Sequence, residues 1–186
     1  MRRASSLALL GGVILAVGAC AEEKRTVAEE KGAVVDLDGI KAPAPASWKE
    51  EAPSNKMRFA QFRLPGKDGD AELVIFKGLG GGAKQNVERW KGQFIPPEGK
   101  TADDVAKVSD ITIGGKKAVR LDISGTYKFK AAPFDPNAKE ERKPHYKMVA
   151  IYFDGPQDVY QIKLTGPEKV VDGHLKEFDD WIKAFK

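Results

Sequence analysis

The chain alternates between two hydrophobic periods, and each change of period marks an element. Residues 57–64 (MRFAQFRL) put Ala60, Phe62 and Leu64 on one side at a period of two, and 71–76 (AELVIF) is an apolar run bounded by Asp-Gly-Asp and Gly. Between them Pro65-Gly66-Lys67-Asp68-Gly69-Asp70 is turn chemistry, so the two segments are expected to pair as a hairpin. Over 83–95 the spacing becomes three and four at Val87, Trp90 and Phe94, which predicts an amphipathic helix ended by Pro96-Pro97. Strands then return. Ile111 and Ile113 lead to Gly114-Gly115, a two-residue hairpin signal, and Val119, Leu121 and Ile123 alternate with Arg120, Asp122 and Ser124 on the way back. Segments 146–153 and 159–165 read as another hairpin across Asp154-Gly155-Pro156. After Pro167, Val171, Leu175, Phe178, Ile182 and Phe185 form one stripe with charged residues off it, predicting a helix that docks on the sheet.

Two stretches are less periodic. Residues 34–48 suggest a short strand and then a proline-bearing extended segment that delivers Trp48 to the domain body. Residues 127–145 hold three prolines and five basic residues with little periodicity, and are expected to form a long surface loop. The order of strands, helix, strands and terminal helix predicts an α+β fold, an antiparallel β-sheet packed against helices.

The N-terminus follows a different rule. Arg2 and Arg3 precede an apolar run from Leu7 to Ala19, 13 residues long with three glycines. A membrane-spanning helix needs about 20 apolar residues, so the run reads as an export signal and not as a span. Its end, Val17-Gly18-Ala19-Cys20, resembles the lipobox of bacterial lipoproteins, in which the cysteine becomes the lipidated mature N-terminus. Cys20 is the only cysteine, so an internal disulfide is impossible and lipidation gives the thiol a use. Residues 1–19 are thus the signal peptide, 20–33 a charged flexible tether, and 34–186 a single domain. Ala21 lacks the aspartate that resembles an inner-membrane retention signal, which points to the outer membrane, facing the periplasm.

Charge narrows the range of partners. Removing the first 19 residues leaves 167, and the net charge falls from +4 to +2, which gives no ground for nucleic acid binding. The partners expected are the membrane, through Cys20, and an envelope protein.

With the lipid anchor, the proline-led Trp48, the mid-chain helix ending in Gln93-Phe94 and the closing helix after Leu164-Thr165-Gly166-Pro167, the chain resembles the PsbP-like family over roughly residues 40–186. That family includes photosystem extrinsic proteins and many bacterial lipoproteins. The resemblance implies an α/β/α sandwich and a non-enzymatic module that docks on membrane complexes or binds something small. Residues 127–145 depart from the short connections usual in the family, and no family functional residue is carried over.

Candidate chemistry is sparse. Gly78-Leu79-Gly80-Gly81-Gly82-Ala83 matches the letters of a dinucleotide loop, but no parallel βαβ unit surrounds it. Gly80, Gly81 and Gly82 remain a candidate anion-binding loop at a helix N-terminus. Lys139, Arg142 and Lys143 are the candidate interaction face. His145 and His174 are too few for a zinc site once Cys20 is lipidated, and Asp172, His174 and Glu177 do not converge by helical phase, so no metal is expected. Asp36-Leu37-Asp38-Gly39 lacks the glycine position and closing glutamate of a calcium loop. Trp48, Trp90 and Trp181 are assigned to packing. With no nucleophile elbow and no phosphate loop, no enzyme activity and no cofactor is expected. The reading is a lipid-anchored, non-enzymatic envelope interaction or assembly module. The alternative is a small-ligand-binding or sensing lipoprotein with a pocket between helix and sheet.

Overall fold

The computed structural model describes residues 31–131 and 137–186; the signal peptide, Cys20 and residues 20–30 of the expected tether lie outside the described residues. β1 (Lys31–Leu37) and β2 (Ile40–Pro45) form a separate hairpin. They are followed by β3 (Lys49–Glu51), β4 (Arg58–Leu64), β5 (Ala71–Lys77), α1 (Ala83–Lys91), β6 (Phe94–Ile95), α2 (Ala102–Val105) and β7 (Ala106–Ile113). β8 (Lys116–Lys130), β9 (Glu140–Asp154), β10 (Val159–Pro167) and α3 (Glu168–Ala184) complete the chain. β3 to β10 make one antiparallel sheet in the order β3-β4-β5-β10-β9-β8-β6, with β7 alongside the first half of β8. This is the α+β architecture that the hydrophobic pattern predicts, with the hairpins at 57–76, 111–123 and 146–165 all formed.

The sheet has a layer on each face. On one face lie α3 and the β1–β2 hairpin, burying Phe62, Ile75, Ile151 and Ile162 of the sheet against Leu37, Phe178 and their neighbours. On the other lies α1, whose Val87 and Trp90 cover Leu121, Ile123, Met148 and Ala150. The predicted α3 stripe is buried at Val171, Phe178, Ile182 and Phe185, with Leu175 half-buried against the same core.

Polar contacts fix the α3 layer in place. Arg120 of β8 donates to Asp122 at 2.6 and 2.8 Å and reaches Asp179 of α3. Ser47 Oγ and Trp48 Nε1 donate to the Glu177 carboxylate at 2.6 and 2.7 Å. Burial pushes the Glu177 pKa up, but the hydrogen bonds from Ser47, His174 and Trp48 outweigh it and hold the carboxyl below its usual range. Trp48 and Trp181 meet edge to face at 5.1 Å, and Trp90 is fully buried, so all three tryptophans pack the core. Asp38, in the β1–β2 turn, accepts from Lys77 of β5 at 2.6 Å and ties that hairpin to the sheet.

Three local features differ from the pattern. The mid-chain helix stops at Lys91, where Gly92 caps it, and Phe94 continues in β6 while staying in the same apolar cluster. α2 is too short to show a period and is announced only by its capping box, Thr101 with Asp104. Residues 127–145 are not a loop along most of their length: β8 runs to Lys130 and β9 begins at Glu140, with 132–136 outside the described residues. A bulge hides their alternation. The register passes from Gly125↔Tyr146 to Tyr127↔Lys143, so Pro144 and His145 are inserted opposite Thr126. Pro144 can sit there because a bulge needs no ladder donor, and His145 takes the left-handed conformation at φ 56°. Gly125 is required at the same place, since a Cβ would fall 2.7 Å from the carbonyl oxygen of Ile95.

Phe178 is fully buried beneath α3. Phe178→Ala should lower the unfolding free energy by about 3–5 kcal/mol, measured by chemical denaturation, through lost burial and the cavity left behind. An unchanged midpoint would mean that α3 does not seat on the sheet.

Candidate functional site

The α1 face of the sheet is divided. Along β8 and β9 it presents Val119, Leu121, Ile123, Met148, Ala150 and Tyr152, and α1 seats there. Along β10, β5 and β4 the same face presents Gln161, Lys163 and Thr165, then Glu72 with the apolar Val74 and Phe76, then Gln61 and Arg63, because these alternate with core residues such as Ile162, Leu73 and Phe62. Nine residues of helix cannot cover both halves, and α1 stops at the border. That half is mainly polar and partly covered: Gln161, Gln61 and Val74 are buried, and Glu72, Lys163 and Thr165 are half-buried.

Amide side chains organise that border. Lys163 Nζ donates to Gln93 Oε1 at 3.1 Å, just past the end of α1. Arg89 donates through Nη2 to Asn86 Oδ1 at 2.6 Å and to Gln161 Oε1 at 2.8 Å. Gln161 in turn donates to the carbonyl of Leu79 at 3.3 Å, and buried Asn86 donates to the carbonyls of Gly81 and Gly82 at 2.9 and 3.1 Å. One step along the sheet, Arg58 pairs with Glu72 and donates to Gln61 Oε1 at 2.8 Å, while its buried Nε has no partner. Arg63 belongs to a separate cluster at the sheet edge, paired with Glu51 at 2.6 Å and Asp70 at 3.1 Å.

The electrostatics follow from this arrangement. Lys163 is half-buried as a residue, but its ammonium end is withdrawn from water. Desolvation, and then the positive charges of Arg89 and Arg58, outweigh Glu72 and lower its pKa to about 8. Burial also raises the Tyr127 phenol, with Glu72 and Tyr146 adding to the effect and Arg58 opposing it.

The structure places the sequence candidates unequally. The glycine loop does join this network, since its carbonyls are held by Asn86 and Gln161, and Gly82 occupies the N-cap of α1 with no side-chain cap. The basic trio does not form one face. Lys143 shares a side with Tyr127 and lies over the Phe129 ring at 4.2 Å, whereas Arg142 pairs opposite Lys128 on the other side of the strands and Lys139 precedes β9. His174 bonds Glu177 at 3.1 Å and the Pro65 carbonyl at 3.0 Å, while Asp172 pairs with Lys147. Cys20 lies outside the described residues. Lys163, Arg89 and Gln161 carry no sequence motif. Their available signal was the alternation Tyr160-Gln161-Ile162-Lys163-Leu164, which puts a lysine in the middle of a strand bordered on both sides.

Two shallow clefts are also present. One, of about 550 Å³, lies between Ala83 at the start of α1 and Asp110, Thr112, Val119, Tyr152 and Asp154 of the sheet. The other, of about 330 Å³, lies between the β4–β5 turn and α3 near His174.

No protein-family model matches the chain, and no curated protein matches it. Among solved structures, it is similar to cyanobacterial PsbP (CyanoP) from Synechocystis sp. PCC 6803, with 15% identity over 91% of this chain and 98% of that one and a TM-score of 0.48. It is similar to LpqN, involved in cell envelope biogenesis of Mycobacterium tuberculosis, with 13% identity over 82% of each chain and a TM-score of 0.44. A protein of unknown function from Pseudomonas aeruginosa, PA94, shares 16% identity over 80% of this chain and 91% of that one, with a TM-score of 0.43.

Lys163 has a signed consequence for stability. A lysine whose folded pKa is depressed binds fewer protons folded than unfolded between about pH 8 and 10.5, so stability rises through that window. The cost of burying the charge, with Arg89, Arg58 and Glu72 around it, is fully present below pH 8. Lys163→Met should therefore stabilise the protein by about 2–3 kcal/mol at pH 7, and the gain should vanish above pH 10.5. Denaturation curves of both forms across that range would check this.

Proposed function

We propose that this chain is a lipid-tethered, non-enzymatic interaction module of the cell envelope, and that it offers the arm built from the ends of β8 and β9 to a protein partner. The tether reading rests on the lipobox at Cys20, and Ala21 favours the outer membrane. Among the described residues no helix is long and apolar enough to cross a membrane.

The observation that carries the interaction reading is the arm itself. β10 pairs with β9 only as far as Tyr146, and the β6 side reaches β8 only as far as Lys128, whose N–H donates to the Gln93 carbonyl at 2.8 Å, so Phe129–Lys130 and Glu140–Arg142 have only each other as ladder partners. Two-stranded ribbons of this kind have little stability of their own. This one is supported by rings: Tyr127 stacks on Tyr146 at 6.1 Å and meets Phe129 at 6.5 Å, with the Lys143 ammonium over Phe129. Half-buried aromatic side chains beside cations are the residue types that anchor protein interfaces.

A photocrosslinking residue at Arg142, compared with one at exposed Lys176 on α3, would test this in native membranes. The arm position should yield one discrete crosslinked protein that the α3 position does not. Cys20→Ala should abolish fatty-acid incorporation, shift the protein from the membrane fraction or leave it as precursor, and remove the crosslink. Equal crosslinking from both positions, or unchanged fractionation of Cys20→Ala, would contradict the proposal.

A further inference from the structure

Two cations at the border between α1 and the polar part of the sheet are positioned by neutral groups alone. Lys163 has Gln93 as its hydrogen-bond partner, and Arg89 has Asn86 and Gln161; neither forms an ion pair among the described residues. Elsewhere on the surface, Lys77, Lys91, Lys147, Arg63 and Arg120 each sit within 2.6 Å of a carboxylate oxygen. Exposed lysines such as Lys84 and Lys169 also form no ion pair among the described residues, but Lys163 differs from them in that its ammonium end is withdrawn from water. An amide oxygen orients a cation without neutralising it, so the charge stays available to a ligand.

Spacing brings the two together. Gln161 and Lys163 are next-but-one on β10 and share a face, and Arg89 is bound to the first of them. Arg58 approaches from the other side through Glu72, whose cross-strand partner is Thr165, the next residue on that face. Arg89, Arg58 and Glu72 thus all bear on Lys163, and the buried Nε of Arg58 still lacks an acceptor. Burying unpaired charge is costly and leaves a partly satisfied network, which an anion with several acceptor oxygens would complete. The depressed pKa of Lys163 agrees, since a nearby anion would return it toward its ordinary value.

We propose that Lys163 and Arg89, with Arg58 beside them, form a binding site for an oxyanion group, a phosphate or carboxylate, carried by a small molecule or by a lipid headgroup. The site is distinct from the β8–β9 arm, and its failure would leave the arm's role standing.

The test is an amide chemical-shift titration of the full chain, purified in non-ionic detergent, with inorganic phosphate and separately with succinate at constant ionic strength. Saturable shifts centred on Gln93, Gln161 and Lys163 are expected from at least one of them. Lys163→Gln and the more exposed Arg89→Gln should each weaken binding by at least tenfold, Lys163→Arg should restore much of it, and Lys176→Gln should change nothing. Sedimentation with phosphatidylglycerol or phosphatidylcholine vesicles separates the sources. Loss of anionic-vesicle binding in Lys163→Gln assigns the site to a headgroup, and unchanged vesicle binding with lost soluble-anion binding assigns it to a free ligand. If neither anion gives saturable shifts and Lys163→Gln leaves vesicle binding unchanged, or if both Gln variants bind the anions as tightly as the parent, the proposal is overturned.

Discussion

Everything on the α1 side of this protein depends on the register of β10. That strand lies in the middle of the sheet, hydrogen-bonded to β5 on one side and β9 on the other. Its odd and even side chains therefore have no freedom to choose a layer. Tyr160, Ile162 and Leu164 are fully buried under α3 and the β1–β2 hairpin, which commits Gln161, Lys163 and Thr165 to the opposite face. A one-residue slip would expel three large apolar side chains from the core, a cost far above anything the polar side could return. The lysine is held where it is by the packing of the other face.

The helix layer accommodates this constraint. Apolar seats for α1 exist along β8 and β9, and the helix ends at Gly92 as the polar residues of β10 begin. Amide side chains then bridge helix to sheet, Gln93 to Lys163 and Arg89 to Gln161. Such bridges satisfy donors without removing charge, so the border is hydrogen-bonded but electrostatically unbalanced. Lys163, whose ammonium is withdrawn from water, carries most directly the cost of that imbalance. The arm beyond the bulge is a second departure from a closed domain. There the exception is mechanical, a ribbon extending past its sheet, stiffened by Tyr127, Tyr146 and Phe129.

Much of the fold was legible because its signals are local. The stripe from Val171 to Phe185, the Gly114-Gly115 turn and the alternation of Val119, Leu121 and Ile123 each determine an element within a few residues. The arm was not legible, since Pro144 and His145 interrupt a period that resumes on either side of them, and a bulge can be identified only against its partner strand. The glycine loop was readable as a helix approach, but its link to Asn86 and Gln161 was not. The polar half-face was missed for a similar reason: Glu72, Lys163 and Arg58 come from three strands, and only their lateral order makes them neighbours. Taken alone, the alternation of β10 reads as a strand with one wetted face. The structure adds that this face meets the end of a helix.

The division of the α1 face is tested most directly by the protonation of Lys163 itself. An NMR titration following the side-chain nitrogen or adjacent carbon of that lysine, in the ligand-free protein, should give a midpoint near 8. A midpoint at the ordinary lysine value of 10.5 would mean that the ammonium is solvated and the border is not an unbalanced polar site.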